Sequence, residues 1–130
     1  MITTTFDSEL DITTTTYQGQ IDALELINYI SKITLNTDEL SNVLYFEDQT
    51  NAEFTFSPTE IRQIVHALLV KISSITAIRV AILNTHPRET ALSLIAIRLL
   101  QAKNIHAKVF STREAALDWL LLDKKIRQTY

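Results

Sequence analysis

One unit, used three times, limits what this chain can fold into: a short apolar run, a polar capping turn, then an amphipathic stretch. Residues 43–48 (VLYFED) lead to Ser57-Pro58-Thr59-Glu60, residues 77–84 (AIRVAILN) to Thr85-His86-Pro87, and residues 105–110 (IHAKVF) to Ser111-Thr112-Arg113-Glu114. Apolar runs this short, rich in β-branched and aromatic side chains, read as buried strands. A serine or threonine with glutamate three residues later satisfies the free amides of a helix start, and proline fits the first helical position. Strands separated by helices must run parallel and be joined by crossovers.

The stretches after each cap have helical spacing. Ile61, Ile64, Val65, Leu68, Leu69 and Ile72 mark a helix over 58–73. Ala115, Ala116, Trp119 and Leu120 pack the last helix onto the sheet. The stretch 87–103 is apolar around most of its circumference, with Asn104 as its stop. Such a helix is buried on more than one side, or its outer face, through Leu94 and Ile97, meets a second subunit. Earlier in the chain, Asp22 and Glu25 form another capping box for a helix over 23–34, and residues 35–42 are a polar connection.

Residues 2–6 (ITTTF) and 10–17 (LDITTTTY) predict an antiparallel hairpin around Asp7, Ser8 and Glu9, with a turn at Gly19. Residues 49–57 are expected to be a loop. The whole is one α/β domain over 1–130, with its core at about 10–122. Its order is β-β-α-β-α-β-α-β-α, with a mixed, mostly parallel sheet.

Several functions are excluded by composition. Gly19 is the single glycine, so neither a dinucleotide fingerprint nor a P-loop can be built. There is no cysteine, hence no disulfide, thiolate nucleophile or cysteine metal site, which fits a reducing compartment such as the cytoplasm. With net charge −3 and basic clustering only at Lys124, Lys125 and Arg127, the chain lacks the footprint of a nucleic-acid binder. The first residues do not read as a signal peptide, and no run is long enough to span a membrane.

From Tyr17 to Leu121 the order resembles a STAS-type domain, the SpoIIAA-like branch. The resemblance rests on Gly19-Gln20-Ile21, VLYFED, FSPTEI, IRVAIL and above all VFSTREAALDWL. It implies a non-enzymatic domain without cofactor that binds partner proteins. It also implies a switch by phosphorylation just after an acidic strand end, where Thr50 follows Glu47 and Asp48. Some relatives share a fold with lipid-carrying CRAL-TRIO domains, so a carrier of a small apolar or lipid ligand is the alternative.

The candidate site residues are Asp48, Thr50, Ser57 and His86, with Thr50 as the possible phosphoacceptor. The Ser57 hydroxyl is better explained as a helix cap than as a phosphoacceptor. Glu47 and Asp48 at a strand end suit acid–base chemistry or magnesium. The last strand lacks the lysine that would complete such a centre. His66, His86 and His106 have no metal-ligand spacing, and no metal is expected. His86 stands where open α/β sheets hold ligands, beyond a strand's carboxyl end. Tyr45, Phe46, Phe54, Phe56, Phe110 and Trp119 are candidates to line an apolar pocket.

Overall fold

The computed structural model describes residues 1–33, 42–100, 102 and 104–122. The Lys124, Lys125 and Arg127 cluster and the connection at 35–41 lie outside the described residues. The elements are β1 (Ile2–Asp7), β2 (Ile12–Ile21), α1 (Ala23–Lys32), β3 (Asn42–Phe54), α2 (Pro58–Ile72), β4 (Ala77–Leu83), α3 (Pro87–Leu99), β5 (Ile105–Phe110) and α4 (Arg113–Leu120). The strands form one sheet in the order β1-β2-β3-β4-β5. Only the β1–β2 pair is antiparallel.

Crossovers that always step to the next strand with one hand deposit their helices on one face. Accordingly α1, α2 and α3 share a core with that face, built from Tyr17, Ile21, Leu26, Ile61, Phe54 and Leu92 among others. Helix α4 covers the opposite face, where Ala116 and Leu120 meet Ile12, Phe46, Ala81 and Leu83. Alternate residues of β3 therefore serve two cores: Tyr45 faces the three-helix layer and Phe46 faces α4.

The caps at Asp22 and Ser57 form as expected, with Asp22 Oδ1 accepting from the Glu25 amide at 2.8 Å. The cap of α4 is shifted by one residue from the Ser111–Glu114 box: Thr112 Oγ1 accepts from the Ala115 amide at 3.2 Å. Ser57 donates its backbone amide to the Glu60 carboxylate at 3.0 Å. At the hairpin, Asp7 Oδ1 accepts from the amides of Glu9 and Leu10, and Asp11 takes the left-handed conformation (φ 56°) that closes the turn.

Four expectations need correction. The first is the loop over 49–57, because β3 continues to Phe54. Its pairing with β4 ends at Asp48↔Leu83, and beyond that only β2 accompanies it, through Ile21↔Phe54. The free edge is closed by side chains: His86 Nε2–H donates to the Thr50 carbonyl at 2.9 Å, and Arg88 Nη1 donates to the Phe54 carbonyl. No local apolar pattern announces a strand held in this way.

The second correction is at Gly19, which lies inside β2 and not in a turn. It adopts φ 77° beside a register shift: Thr16 pairs with Asp48, but Gln18 pairs with Asn51. Two steps on β2 thus oppose three on β3, a bulge that reverses which face the later residues of β3 present. Glu47 and Gln49 face the three-helix layer before it, and Ala52 and Phe54 do so after it.

The third concerns helix ends. Helix α1 stops at Lys32, and α3 stops at Leu99 because Leu100 leaves helical geometry (φ −81°, ψ 61°). Asn104 is not its stop; its side-chain amide ties the Ile72 and Ile75 carbonyls at 3.0 Å each. Fourth, α3 is not buried on more than one side. Leu94 and Ile95 are exposed, while Glu89, Leu92 and Ser93 are its buried residues.

Candidate functional site

Between the sheet and the three-helix layer lies a cavity of ≈ 130 Å³. Its walls are mainly aliphatic and aromatic, including Leu26, Ile64, Leu92 and Ala107. The aromatic set splits across the sheet. Tyr45, Phe54 and Phe56 line the cavity, whereas Phe46, Phe110 and Trp119 pack with α4 on the other face. Alternation sets Tyr45 against Phe46, and the bulge turns Phe54 to the three-helix side, so a single pocket cannot use all six.

The polar groups in the cavity wall are Tyr17, Tyr45, Glu47, Gln49, Lys71 and Ser93. Glu47 is at the centre of a hydrogen-bonded chain. The Tyr17 hydroxyl donates to Glu47 Oε1 at 2.7 Å, and Gln49 Nε2 donates to Glu47 Oε2 at 3.3 Å. Gln49 is held in that orientation by two donors on its own oxygen, Asn84 Nδ2 at 3.0 Å and Ser93 Oγ at 3.1 Å. Asn84 is oriented in turn by the His86 amide, which donates to Asn84 Oδ1 at 3.1 Å. Each amide has one end fixed by an unambiguous donor, so the chain has a single sense from the β4–α3 turn to the Glu47 carboxyl.

Burial pushes the Glu47 carboxyl above its ordinary range, outweighing the downward pull of the hydrogen bonds from Tyr17 and Gln49. The phenols of Tyr17 and Tyr45 are also pushed up, first by burial and then by the charge of Glu47. Beside this chain, Thr15, Tyr29 and Tyr45 bond one another, Tyr29 to Tyr45 at 2.9 Å and Thr15 to Tyr29 at 2.7 Å. Thr15 is fully buried, and these partners satisfy its hydroxyl.

Glu47 and Asp48 do not share a centre. As neighbours on a strand they point to opposite faces, Glu47 to the cavity and Asp48 to α4. There Arg113 Nη2 donates to Asp48 Oδ2 at 2.9 Å. That separates the proposed acid–base or magnesium pair. Among the described residues no group of three or more histidines, aspartates and glutamates is placed to hold a metal.

The structure brings Asp48, Thr50 and His86 together. Asp48 Oδ1 accepts from the Thr50 amide at 3.1 Å and from its hydroxyl at 2.6 Å, and His86 holds the Thr50 carbonyl. These contacts brace the bulge in β3. Thr50 sits within a strand, seven positions before the cap residue of α2, with its hydroxyl committed to Asp48. Ser57 stands apart as the cap of α2, bonded to Glu60. His66 and His106 are exposed.

Tyr17, Gln49, Asn84 and Ser93 went unnoticed as site residues. Two of them carried a signal: Asn84 is the lone polar end of AIRVAILN, and Ser93 interrupts the apolar stripe of α3. Gln49 carried none, because its inward direction depends on the bulge.

No family model and no curated protein matches the sequence. Among solved structures, the chain is similar to a protein from Shewanella loihica PV-4 of the DUF3478 family, described as having a SpoIIAA-like fold. The TM-score is 0.61, the identity is 16%, and the match covers 92% of each chain. The chain has a SpoIIAA-like fold, as the resemblance implied. Among the described residues no helix is long and apolar enough to cross a membrane.

Proposed function

We propose that this protein is a non-catalytic binding module that holds a small, largely apolar ligand between its sheet and its three-helix layer. The observation that carries this is the cavity of ≈ 130 Å³, apolar except for a few convergent polar groups. An apolar cavity of about 150 Å³ accepts a single aromatic ring, so a one-ring ligand is the right scale. Most of the polar groups around it already hold hydrogen bonds within the fold, which suits orientation of a ligand better than chemistry on it. Titration with benzyl alcohol, followed by amide chemical shifts, tests the proposal. Shifts centred on Leu92 and Ala107 are expected. Saturation without shifts there, or no binding at millimolar concentration of benzyl alcohol or its charged analogues benzylamine and benzoate, overturns it.

A second function, docking of a protein partner or a second copy, is favoured by Leu94 and Ile95 on the outer side of α3, which are 53% and 38% exposed. Ile97, expected beside Leu94 in a dimer contact, instead lines the cavity. Replacing Leu94 by serine is expected to weaken any self-association measured by sedimentation. A monomer at all concentrations would remove the dimer.

A further inference from the structure

Glu47 is the acidic group in the cavity wall, and among the described residues no ion pair neutralises it. Its carboxylate accepts one hydrogen bond on each oxygen, from Tyr17 and Gln49. A carboxylate offers about four acceptor positions, so about half of its capacity remains unused. The unused part adjoins a cavity whose wall includes the rings of Tyr17, Tyr45, Phe54 and Phe56. Tyr17 packs edge-on against Phe54 with centroids 6.0 Å apart, and Phe54 lies 4.9 Å from Phe56. A negative group beside aromatic faces, with an apolar remainder, is complementary to a cation carried on an apolar body.

Resting on the cavity function proposed above, the geometry points to a hydrophobic monoamine as the ligand class, its ammonium bonded to Glu47 and its apolar body among Leu92, Ala96 and Ala107. The chain Asn84–Gln49–Glu47 acts as a positioning device. It spends the Gln49 oxygen on Asn84 and Ser93, so Gln49 presents a donor to one carboxylate oxygen and leaves the other positions for the ligand. The raised pKa of Glu47 agrees with a buried carboxyl that lacks its counter-charge until a cation arrives.

Other titratable groups around Glu47 are Tyr17 on β2, Tyr45 on β3, Tyr29 on α1 and Lys71 on α2, whose ammonium is bonded to the Ser31 carbonyl at 3.2 Å. Helix α3 carries Glu89 and its partner Arg88, 3.1 Å apart, which are not among the residues of the cavity wall. The cavity residues of β4 and β5, Ile78, Val80, Ile82, Ile105 and Ala107, carry no titratable group.

Three probes of matched shape test the inference: benzylamine, benzyl alcohol and benzoate. Benzylamine is expected to bind at least about tenfold more tightly than benzyl alcohol at pH 8, since tenfold is a modest share of a charge-assisted bond. Glu47→Gln should reduce that preference to about twofold or less. In the wild-type protein the preference should shrink as pH falls and Glu47 takes up its proton, a readout that needs no variant. Equal affinity for amine and alcohol overturns the amine class but leaves the cavity function standing. Tighter benzoate overturns it in favour of Lys71. A preference that survives Glu47→Gln and low pH removes Glu47 from the role. Failure of all three probes overturns the cavity function itself.

Discussion

The two faces of the sheet are built from alternate residues of the same strands, yet they pack differently. On the α4 face, Phe46, Ala81 and Ala116 are fully buried, and Leu120 keeps 1% of its surface. The polar residues there sit at the margin: Arg79 stacks on Trp119 and donates to its carbonyl at 2.7 Å, and Arg113 pairs with Asp48. On the three-helix face, Tyr17, Thr15, Tyr45, Glu47, Gln49 and Ser93 are bonded inside, and a cavity remains beside them. Apolar side chains can slide until the space is filled. Directional hydrogen bonds hold their members at fixed places, and an unmade bond in the interior is costly. A polar chain can therefore keep a cavity open where a wholly apolar layer would close it.

The sharpest way to break this contrast is to cut a phenylalanine from each face. Phe46→Ala should cost about 3–5 kcal/mol in urea denaturation, since Phe46 is packed on every side. Phe56→Ala should cost less, because Phe56 already borders empty space and has fewer contacts to lose. Equal losses would mean that the two faces are equally tight.

One added methyl pair should act with opposite sign on neighbouring strands. Ala81→Val pushes into the closed α4 face and should destabilise by about 1–3 kcal/mol. Ala107→Val extends into the cavity and should stabilise by about 0.5–2 kcal/mol in the same measurement. It should also weaken ligand binding, by occupying the space the ligand needs.

Glu47→Gln tests the electrostatic side. The folded pKa of Glu47 is raised, so its contribution to stability is fully present below the ordinary carboxylate value and is lost as pH rises through the folded value. The variant has no charge to bury. Its melting temperature relative to wild type should therefore rise with pH above the ordinary carboxylate range. A difference that does not change with pH would show that burial does not tax this carboxyl.

The smallest effect belongs to the α4 margin. Arg113→Ala removes a pair whose arginine is 57% exposed, and solvent screening should hold the loss to below about 1 kcal/mol. A larger loss would mean that the packing of Arg113 over the Phe46 ring, 4.9 Å from its centroid, carries weight of its own.

Much of the frame was legible because its causes are local. The caps at Asp22 and Ser57 depend on residues three apart, the cap of α4 was legible to within one residue, and the apolar runs of β4 and β5 depend on composition within a few positions. The site was less legible. Asp48, Thr50 and His86 do meet, but as the brace of a bulge. The acidic group that faces the cavity is Glu47, which the sequence reading pairs with Asp48 because they are neighbours in the chain. On a strand that adjacency places them apart.

The sequence by itself determined the α/β order, the single chain of strand–helix units and the identity of the helix starts, because capping and periodicity act over a few residues. Only the tertiary structure decided how far β3 runs, which face each of its residues serves, and that a cavity remains around Glu47. Those outcomes depend on the β2–β3 register, on His86 and Arg88 reaching back to a strand more than thirty residues earlier, and on how three helices close over a face they must share with buried polar groups.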